Sequence, residues 1–522
     1  MASAMVEVLS VPAKTTEVIV KCPPKRLVVC CDGTWMNSNE GTDTGSGLLD
    51  NILGLGGLTL QQPTNVTRIC RSIKPTSTKR IGDLVQPISQ ITFYGSGIGT
   101  ANALDKAQGG LTGEGEAGVA EHIREAYQFI SANYSADSED EIVLVGFSRG
   151  SFTVRSVAAF INDVGLLTQK GMTYFYPIFE DWENQQKMLK PGYKATFSSY
   201  PFEGPRPRMF PDPTEYRKKL VQLGYTRPNI KVKAVAVFDT VGSLGVPRIA
   251  FWHDVSAPQH SLDFAFVDTM MPPNVENGIH ALALDEIRKP FSPTLWEKPA
   301  PGQTLTQVWF SGAHADVGGS YADTSGANIS LAWMVEKLSA FVEFDLDMLA
   351  YQYKVPAPTV KRDWGCGILN NEFAGAYTVF DYHVRTPGAY TRYNHESGEP
   401  YVPAQPLVST NEKLHSSVRI RCGLSGPMPR TGKTPDSGVY CCPAWCGKDK
   451  VKPWTVTGLP KTPVKASGLS LEEIHKLQAN IQWTRAGTTQ MMGEDLIGKA
   501  EWEILKSISP GVADKFFSFG PK

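Results

Sequence analysis

The chain has 522 residues, which is enough for one large domain with insertions or for two to three domains that need no disulfide or metal for stability. Its 51 basic and 52 acidic residues give a net charge of -1, so no bulk field draws it to nucleic acid or to an anionic bilayer. Nine cysteines are an odd count, and Cys30 and Cys31 lie inside one apolar run, which is typical of packed, reduced thiols.

The amino terminus has neither the charged start nor the apolar centre of a secretory signal, and nowhere are there about 18 consecutive apolar residues. We therefore predict a soluble, cytoplasmic protein in which residues 1–24 form a mobile leader. The even charge balance also predicts that nucleic acid is not a partner.

The first strand signal is the apolar run at residues 25–34, which is continuous in the manner of a central parallel strand. It ends in a polar turn made of Asp32, Gly33 and Thr34. A glycine-rich segment follows residue 94, but its Gly-x-Gly-x-Gly spacing differs from that of a dinucleotide loop, so we predict no nucleotide site there.

Strand and helix signals alternate through the first two thirds of the chain. Helical spacing occurs at residues 65–73, 118–134, 276–289 and 329–342, and strand-like runs occur at 90–94, 141–147, 230–239 and 304–310. This alternation predicts an α/β fold with a mostly parallel central sheet flanked by helices. Functional side chains in such a sheet collect where the strands end.

A Gly-x-Ser-x-Gly motif at residues 146–150 follows one of these strands and precedes a helical pattern. A serine at a sharp strand-to-helix turn crowds the neighbouring backbone, so Gly146 and Gly150 stand where a Cβ would collide. In this context the motif predicts a nucleophile elbow with Ser148 as the nucleophile.

A serine hydroxyl needs a base within hydrogen-bond reach and an acid that orients the base. We favour His314 as the base because it lies just after a predicted strand end among glycines, and His415 is the alternative. We favour Asp239 as the acid because it ends the strand after the elbow, and Asp285 on the helix predicted at 276–289 is the alternative. The order Ser148, Asp239, His314 is that of α/β-hydrolases.

A tetrahedral oxyanion requires two backbone N–H donors. The residue after the nucleophile, Arg149, supplies one donor in α/β-hydrolases, and a loop on the neighbouring strand supplies the other. Gly33 or Thr34 is the candidate for the second donor, and an ordinary strand-ending turn is the equally weighted alternative.

No metal or cofactor is predicted. Asp32 and Asp316 are far apart in the sequence and have no spaced histidine or cysteine cluster beside them. The cysteines at 422, 441, 442 and 446 lack the paired spacing of a zinc site, so thiols that bind no metal are expected.

The sequence predicts a catalytic domain at residues 25–345 with an aromatic insertion at about 166–229 that lies over the site. Beyond it, residues 346–522 are rich in proline, glycine and short polar runs, apart from helical patterns at 469–483 and 494–506. We predict that this irregular C-terminal extension packs on the catalytic domain.

Several of these segments together resemble a known family. They are residues 27–35, 63–66, 94–100, 146–150, 238–242, 280–286 and 309–321, with a weaker match at 411–421. They resemble the uncharacterised α/β-hydrolase domain of type VI secretion phospholipase effectors, which is widespread in fungi as well as bacteria. The resemblance implies an α/β-hydrolase fold and a triad that falls on Ser148, Asp239 and His314.

The predicted function is a serine hydrolase, an esterase or lipase that cleaves carboxylic esters through an acyl-enzyme, with phospholipids among the candidate substrates. The alternative is a catalytically silent member that uses the cleft or the extension as a binding module. The chain has no basic amphipathic anchor, so we favour a small or soluble ester over membrane contact. No pattern bears on the oligomeric state.

Overall fold

The computed structural model describes residues 23–33, 62–81, 83–97, 115–185, 187–189, 191–197, 201–203, 206–209, 211–241, 269–354, 362–371, 383–392, 401–426, 430–431, 434–435, 440, 454–485 and 490–520. Its strands are β1 (Lys25–Cys31), β2 (Thr76–Ile81), β3 (Leu84–Gly95), β4 (Glu141–Phe147), β5 (Leu166–Leu167), β6 (Thr226–Arg227), β7 (Ala234–Phe238), β8 (Asn277–Ala283), β9 (Thr304–Phe310), β10 (Glu412–Leu414), β11 (Arg430–Thr431), β12 (Thr434–Pro435), β13 (Trp454–Thr457), β14 (Gln482–Arg485) and β15 (Met491–Gly493). Its helices are α1 (Asn65–Ser72), α2 (Gly115–Asn133), α3 (Arg149–Val164), α4 (Gln169–Met172), α5 (Phe175–Glu183), α6 (Thr214–Gln222), α7 (His314–Gly318), α8 (Ser325–Leu338), α9 (Leu346–Lys354), α10 (Ser416–Gly423), α11 (Leu471–Gln478), α12 (Lys499–Ile508) and α13 (Pro510–Asp514).

The central sheet has eight strands in the order β10-β9-β8-β7-β4-β1-β3-β2. All neighbouring pairs are parallel except β2 with β3. The edge strand β10 comes from the C-terminal extension and pairs with β9. The predicted α/β class and mostly parallel sheet are confirmed.

The continuous apolar run of β1 is explained by burial on both of its faces. Leu27 and Val29 join the cluster that α2 and α3 cover, whereas Val28 and Cys30 point to the cluster under α1, α8 and α12. Successive side chains of a strand point to opposite faces, so a strand between two helical layers needs apolar residues at every position.

The strand register brings several strand ends to one edge of the sheet. Cys31 pairs with Gly146, and Phe147 pairs with Phe238. Farther along the sheet, Ala283 pairs with Phe310. Because these strands are parallel, the residues that follow each of them emerge along the same edge.

Two of the predicted helices are corrected by the structure. The segment predicted as a helix at 276–289 forms β8, because residues 278–283 are buried in the middle of the sheet and a short apolar run fits a strand there. The helix predicted at 469–483 ends at Gln478, and the rest of that segment belongs to β14, which pairs with β13 and β15.

The insertion does not cover the strand ends with its described residues. Trp182 on α5 donates its indole N–H to Asp163, and Arg217 on α6 donates to the carbonyl of Asn162. Both acceptors lie at the carboxyl end of α3, about 20 Å along the helix axis from Ser148. The described part of the insertion therefore packs at the far end of α3, and the prediction that it lies over the site is wrong for that part.

Candidate active site

The turn at Ser148 joins β4 to α3 in a conformation that few residues with a side chain adopt. Ser148 has a φ of 57° and a ψ of -123°. A Cβ on Gly146 would lie 2.6 Å from the Gly150 carbonyl oxygen, and one on Gly150 would lie 2.2 Å from the Cys31 oxygen. Gly146 therefore allows the end of β4 to pack against the start of α3, and Gly150 allows the turn to approach the end of β1.

An aspartate and a histidine meet beside this turn. Asp239 directly follows β7, is fully buried, and accepts the Ala283 N–H at 2.9 Å. His314 begins α7, is 5% exposed, and places its Nδ1 2.7 Å from Asp239 Oδ2. Because the Ser148 N–H donates to the Phe238 carbonyl at 3.1 Å, the backbones at Ser148 and Asp239 are also held together.

The imidazole of His314 is oriented from several sides. Its ring packs against Phe147 at a centroid distance of 4.7 Å and edge-on against Phe291 at 5.1 Å. Its backbone N–H donates to Glu286 at 3.2 Å. In the described part of the chain the hydrogen-bonded series ends at His314 and does not reach the Ser148 hydroxyl. Catalytic hydrogen bonds are often long before substrate binds.

Glu286 is itself held in place by a buried ion pair with Arg288. Two guanidinium nitrogens, Nε and Nη2, each lie 2.8 Å from a Glu286 oxygen. Burial alone would raise the pKa of Glu286, but Arg288 outweighs it and the pKa is lowered. The backbone of His314 is therefore anchored to an ionised carboxylate.

The sequence interpretation missed Arg385, which contacts the candidate acid. Its Nη1 and Nη2 lie 2.5 and 2.9 Å from the two oxygens of Asp239. Burial alone would raise the pKa of Asp239, but Arg385 and the His314 hydrogen bond outweigh it and hold that pKa well below its usual range. Arg385 lies in the irregular extension, where no periodicity or motif marks it.

The two alternative residues have other partners. Asp285 accepts the Tyr440 hydroxyl at 2.8 Å and the Gly312 N–H at 2.5 Å. His415 precedes α10, is 1% exposed, and directs its Nε2 to Glu501 at 2.9 Å. The structure thus pairs His314 with Asp239 and places neither alternative in that pair.

Two of the three candidate oxyanion donors, Gly33 and Arg149, lie within the described residues. Gly33 lies against Ser148, since a Cβ on it would be 3.0 Å from the Ser148 Cβ. However, the Gly33 N–H donates to the Asp32 carboxylate at 3.0 Å, which counts against it as the second donor. Thr34 lies outside the described residues. Arg149 directly follows Ser148 and is the first residue of α3.

Asp32 accepts hydrogen bonds from three hydroxyl side chains. Its Oδ2 accepts the hydroxyls of Thr64, Thr67 and Tyr94, each at 2.8 Å. Burial raises its pKa although these bonds oppose the shift. Asp32 thus ties together β1, α1 and β3 at the edge of the site.

Within the described ranges, no group of three or more histidine, cysteine or acidic side chains is placed to hold a metal ion. The cysteines at 441, 442 and 446 lie outside those ranges. Among the helices that the structure describes, none is both long enough and apolar enough to cross a bilayer.

Residues 25–337 match the family model for the type VI secretion system phospholipase effector Tle1-like catalytic domain. The uncharacterized protein YEL023C of Saccharomyces cerevisiae is 29% identical over 174 residues, which are 33% of this chain and 20% of that protein. The chain thus spans about one fifth of this curated relative.

Two solved structures are more distant. The Tle1 effector bound to the VgrG spike of the type 6 secretion system has 20% identity and a TM-score of 0.29, over 58% of this chain and 52% of that one. An uncharacterized protein from Pseudomonas aeruginosa has 14% identity and the same TM-score of 0.29, over 65% of this chain and 52% of that one. Since the family model matches more than half of the sequence, this chain belongs to the Tle1-like family of phospholipase effector catalytic domains.

Proposed function

We propose that this chain is a serine hydrolase that cleaves carboxylic esters, with Ser148 as the nucleophile, His314 as the base and Asp239 as the acid that orients the base. The observation that carries the proposal is the 2.7 Å hydrogen bond between His314 and the buried Asp239, beside a serine in a strained turn. Asp239 engages Nδ1, which leaves Nε2 as the nitrogen that accepts a proton from serine.

In the proposed reaction, a rotation of the Ser148 side chain brings its Oγ to His314 Nε2. The imidazole takes the hydroxyl proton as Oγ attacks the ester carbonyl, and Asp239 stabilises the imidazolium that forms. Collapse of the tetrahedral intermediate breaks the ester bond, and the departing alcohol takes the proton from His314. His314 then takes a proton from water as the water attacks the acyl-enzyme, and the carboxylic acid product is released from Ser148.

The oxyanion of this reaction needs two donors. The Arg149 N–H, directly after the nucleophile, is the first. We propose the Thr34 N–H as the second donor, because the Gly33 N–H already donates to the Asp32 carboxylate. A donor aimed at the developing charge contributes about 100- to 1,000-fold to turnover.

The substrate class also belongs to the proposal. The matched family is named for phospholipase effectors, and one solved relative is an effector bound to VgrG. For this chain we propose a small-molecule or lipid ester, and we favour a soluble ester because its net charge of -1 does not attract anionic membranes. A cytoplasmic location is proposed from the free thiols of Cys30, Cys31, Cys70, Cys366 and Cys422.

A fluorophosphonate probe tests the nucleophile directly. We expect it to label the wild-type chain and to leave Ser148→Ala unlabelled. Ser151→Ala is the matched control, since Ser151 is buried on the same helix and donates its hydroxyl to the Phe238 carbonyl at 3.0 Å. It should be labelled like the wild type. A wild-type chain that stays unlabelled between pH 6 and 9 would instead support the silent binding module.

Hydrolysis and flotation assays test the substrate class. Short-chain p-nitrophenyl esters are compared with neutral and anionic phospholipid vesicles, and binding to the vesicles is measured by flotation. We expect turnover of the soluble esters and little flotation at either vesicle charge. Strong flotation with release of fatty acid would overturn the preference for a soluble ester.

A further inference from the structure

We propose that Arg385 is a positioning residue for the Asp239–His314 pair, so that the C-terminal extension completes the active site. Arg385 lies beyond residues 25–337, the part of the chain that the family model matches. This inference rests on the proposed function, and it adds a residue that neither the elbow nor the strand ends contain.

Arg385 binds the Asp239 carboxylate with two parallel hydrogen bonds. The guanidinium holds both oxygens of Asp239, and the same two nitrogens also donate to the carbonyls of Ala283 at 2.6 Å and Phe291 at 2.7 Å. Arg385 is 1% exposed, so this side chain is committed to the site. A planar two-pronged donor fixes the rotation of the carboxylate as well as its position.

The segment that carries Arg385 is anchored on both sides of it. On one side, the His383 N–H donates to the Ile287 carbonyl at 2.8 Å. On the other side, the Gly388 N–H donates at 2.8 Å to Glu412, the first residue of the edge strand β10. The arginine is therefore delivered from a fixed backbone and not from a chain end that is free to move.

The charge on Arg385 decides whether Asp239 can act. A buried carboxylate without a cationic partner has its pKa raised by as much as about 3–5 units and becomes neutral near pH 7. A neutral Asp239 could not stabilise the imidazolium of His314. Arg385 also repels that imidazolium, but Asp239 lies between the two cations and offsets the repulsion. Keeping Asp239 ionised is therefore the larger effect.

The other charged or titratable groups near Asp239 do not replace Arg385. Burial, then the nearby Arg155, lowers the pKa of His280 to about 3, so this residue is neutral. Burial raises the pKa of Tyr390, which is neutral as well. Glu286 is ionised, but it is an anion and its charge is balanced by the ion pair with Arg288. Among the described residues, the side chains that hydrogen-bond the Asp239 carboxylate are therefore those of His314 and Arg385.

The test measures kcat/KM of full-length variants relative to the wild type between pH 6 and pH 9. With Arg385→Met, we expect a loss of about 10- to 1,000-fold at pH 6, which follows if burial without a cation raises the pKa of Asp239 by about 3–5 units above the ordinary carboxyl value of about 3.9. The ratio should recover to within about tenfold at pH 9, where the unpaired Asp239 ionises again. Arg385→Lys keeps the charge and should show a ratio that is constant with pH.

Arg392→Met is the matched control. Arg392 lies on the same segment and clamps the buried Glu297 with contacts of 2.6 and 2.7 Å, without touching Asp239. Its ratio to wild type should be constant with pH. Circular dichroism checks folding, and Arg385→Gln is the second neutral variant if Arg385→Met does not fold.

The outcomes separate the two proposals. A pH-independent ratio for a folded, neutral Arg385 variant, with an active wild type, would overturn the role of Arg385 alone. A wild-type chain with no labelling and no ester hydrolysis would refute the proposed function, and the role of Arg385 with it.

Discussion

Replacing Asp239 with asparagine is the sharpest test of the candidate acid, because the change keeps the shape of the side chain and removes its charge. Asp239 accepts hydrogen bonds from His314, Arg385 and the Ala283 N–H, and it is fully buried. In asparagine one carboxylate oxygen becomes an NH2 group, which cannot accept a hydrogen bond and would face one of these N–H donors. It would also favour the wrong tautomer of His314, with the proton on Nε2 instead of Nδ1.

The expected kinetic effect is a fall of about 10,000-fold in kcat, as when the acid of a triad loses its charge. The expected stability effect is large as well. Removing one partner of a buried ion pair destabilises a fold by about 3–5 kcal/mol, because the remaining charge, here Arg385, is left buried without compensation. That is a substantial part of the roughly 5–15 kcal/mol that holds a domain folded.

The stability effect should depend on pH in a defined direction. The pKa of Asp239 is held below its ordinary value, so its carboxylate stabilises the fold above the unfolded pKa of about 3.9. This contribution is lost as the pH falls through the lower folded-state pKa. The difference in free energy of unfolding between wild type and Asp239→Asn should therefore be full at pH 7 and shrink in acid below about pH 4.

Ester hydrolysis and urea denaturation of the two chains measure these effects, and Asp285→Asn is the matched control. Asp285 bonds Tyr440 and the Gly312 N–H, so its loss should cost about 1–3 kcal/mol of stability and leave kcat within about threefold. A loss of less than tenfold in Asp239→Asn, or an equal kinetic loss in Asp285→Asn, would refute the assignment.

Two further predictions concern the base and the turn. His314→Ala should lower kcat by at least about 1,000-fold in a folded protein, while His415→Ala should mainly destabilise the fold because His415 is buried between Glu501 and Ser417. Activity and thermal unfolding measured together check this, and the reverse pattern would reassign the base. Gly150→Ala should lower both stability and activity, since its Cβ would lie 2.2 Å from the Cys31 oxygen and overpacking costs about 1–3 kcal/mol. A melting temperature and turnover equal to wild type would contradict that close contact.

The sequence by itself determined the features that depend on neighbouring residues. The apolar run at β1, the strand at β4 and the glycines around Ser148 all follow from local sterics and periodicity, and the structure contains each of them. The parallel arrangement followed as well, because strands that alternate with helices have few other ways to pack. Strand ends therefore predicted where the candidate site residues Ser148, Asp239 and His314 lie.

The sequence was misleading where one pattern fits two structures. The segment at 276–289 has a short apolar run that suits either a buried helix or a buried strand, and only its neighbours β7 and β9 make it a strand. The position of the insertion in the chain, between α3 and the next long strand, predicts that it lies over the site. Three of its aromatics, Phe175, Phe179 and Trp182, instead pack against Phe160 near the carboxyl end of α3, where they bury apolar surface.

Only the tertiary structure decided how the candidate site is held together. Arg385 is 146 residues from Asp239 in sequence, and Glu286 is 28 residues from the His314 backbone that it holds. Periodicity and motifs report on residues that are close along the chain, whereas an ion pair depends on two separate elements that meet in the folded core. Arg385 lies in an irregular segment, and a charged residue there is expected to be exposed. It is buried only because that segment packs against the ends of β7 and β8.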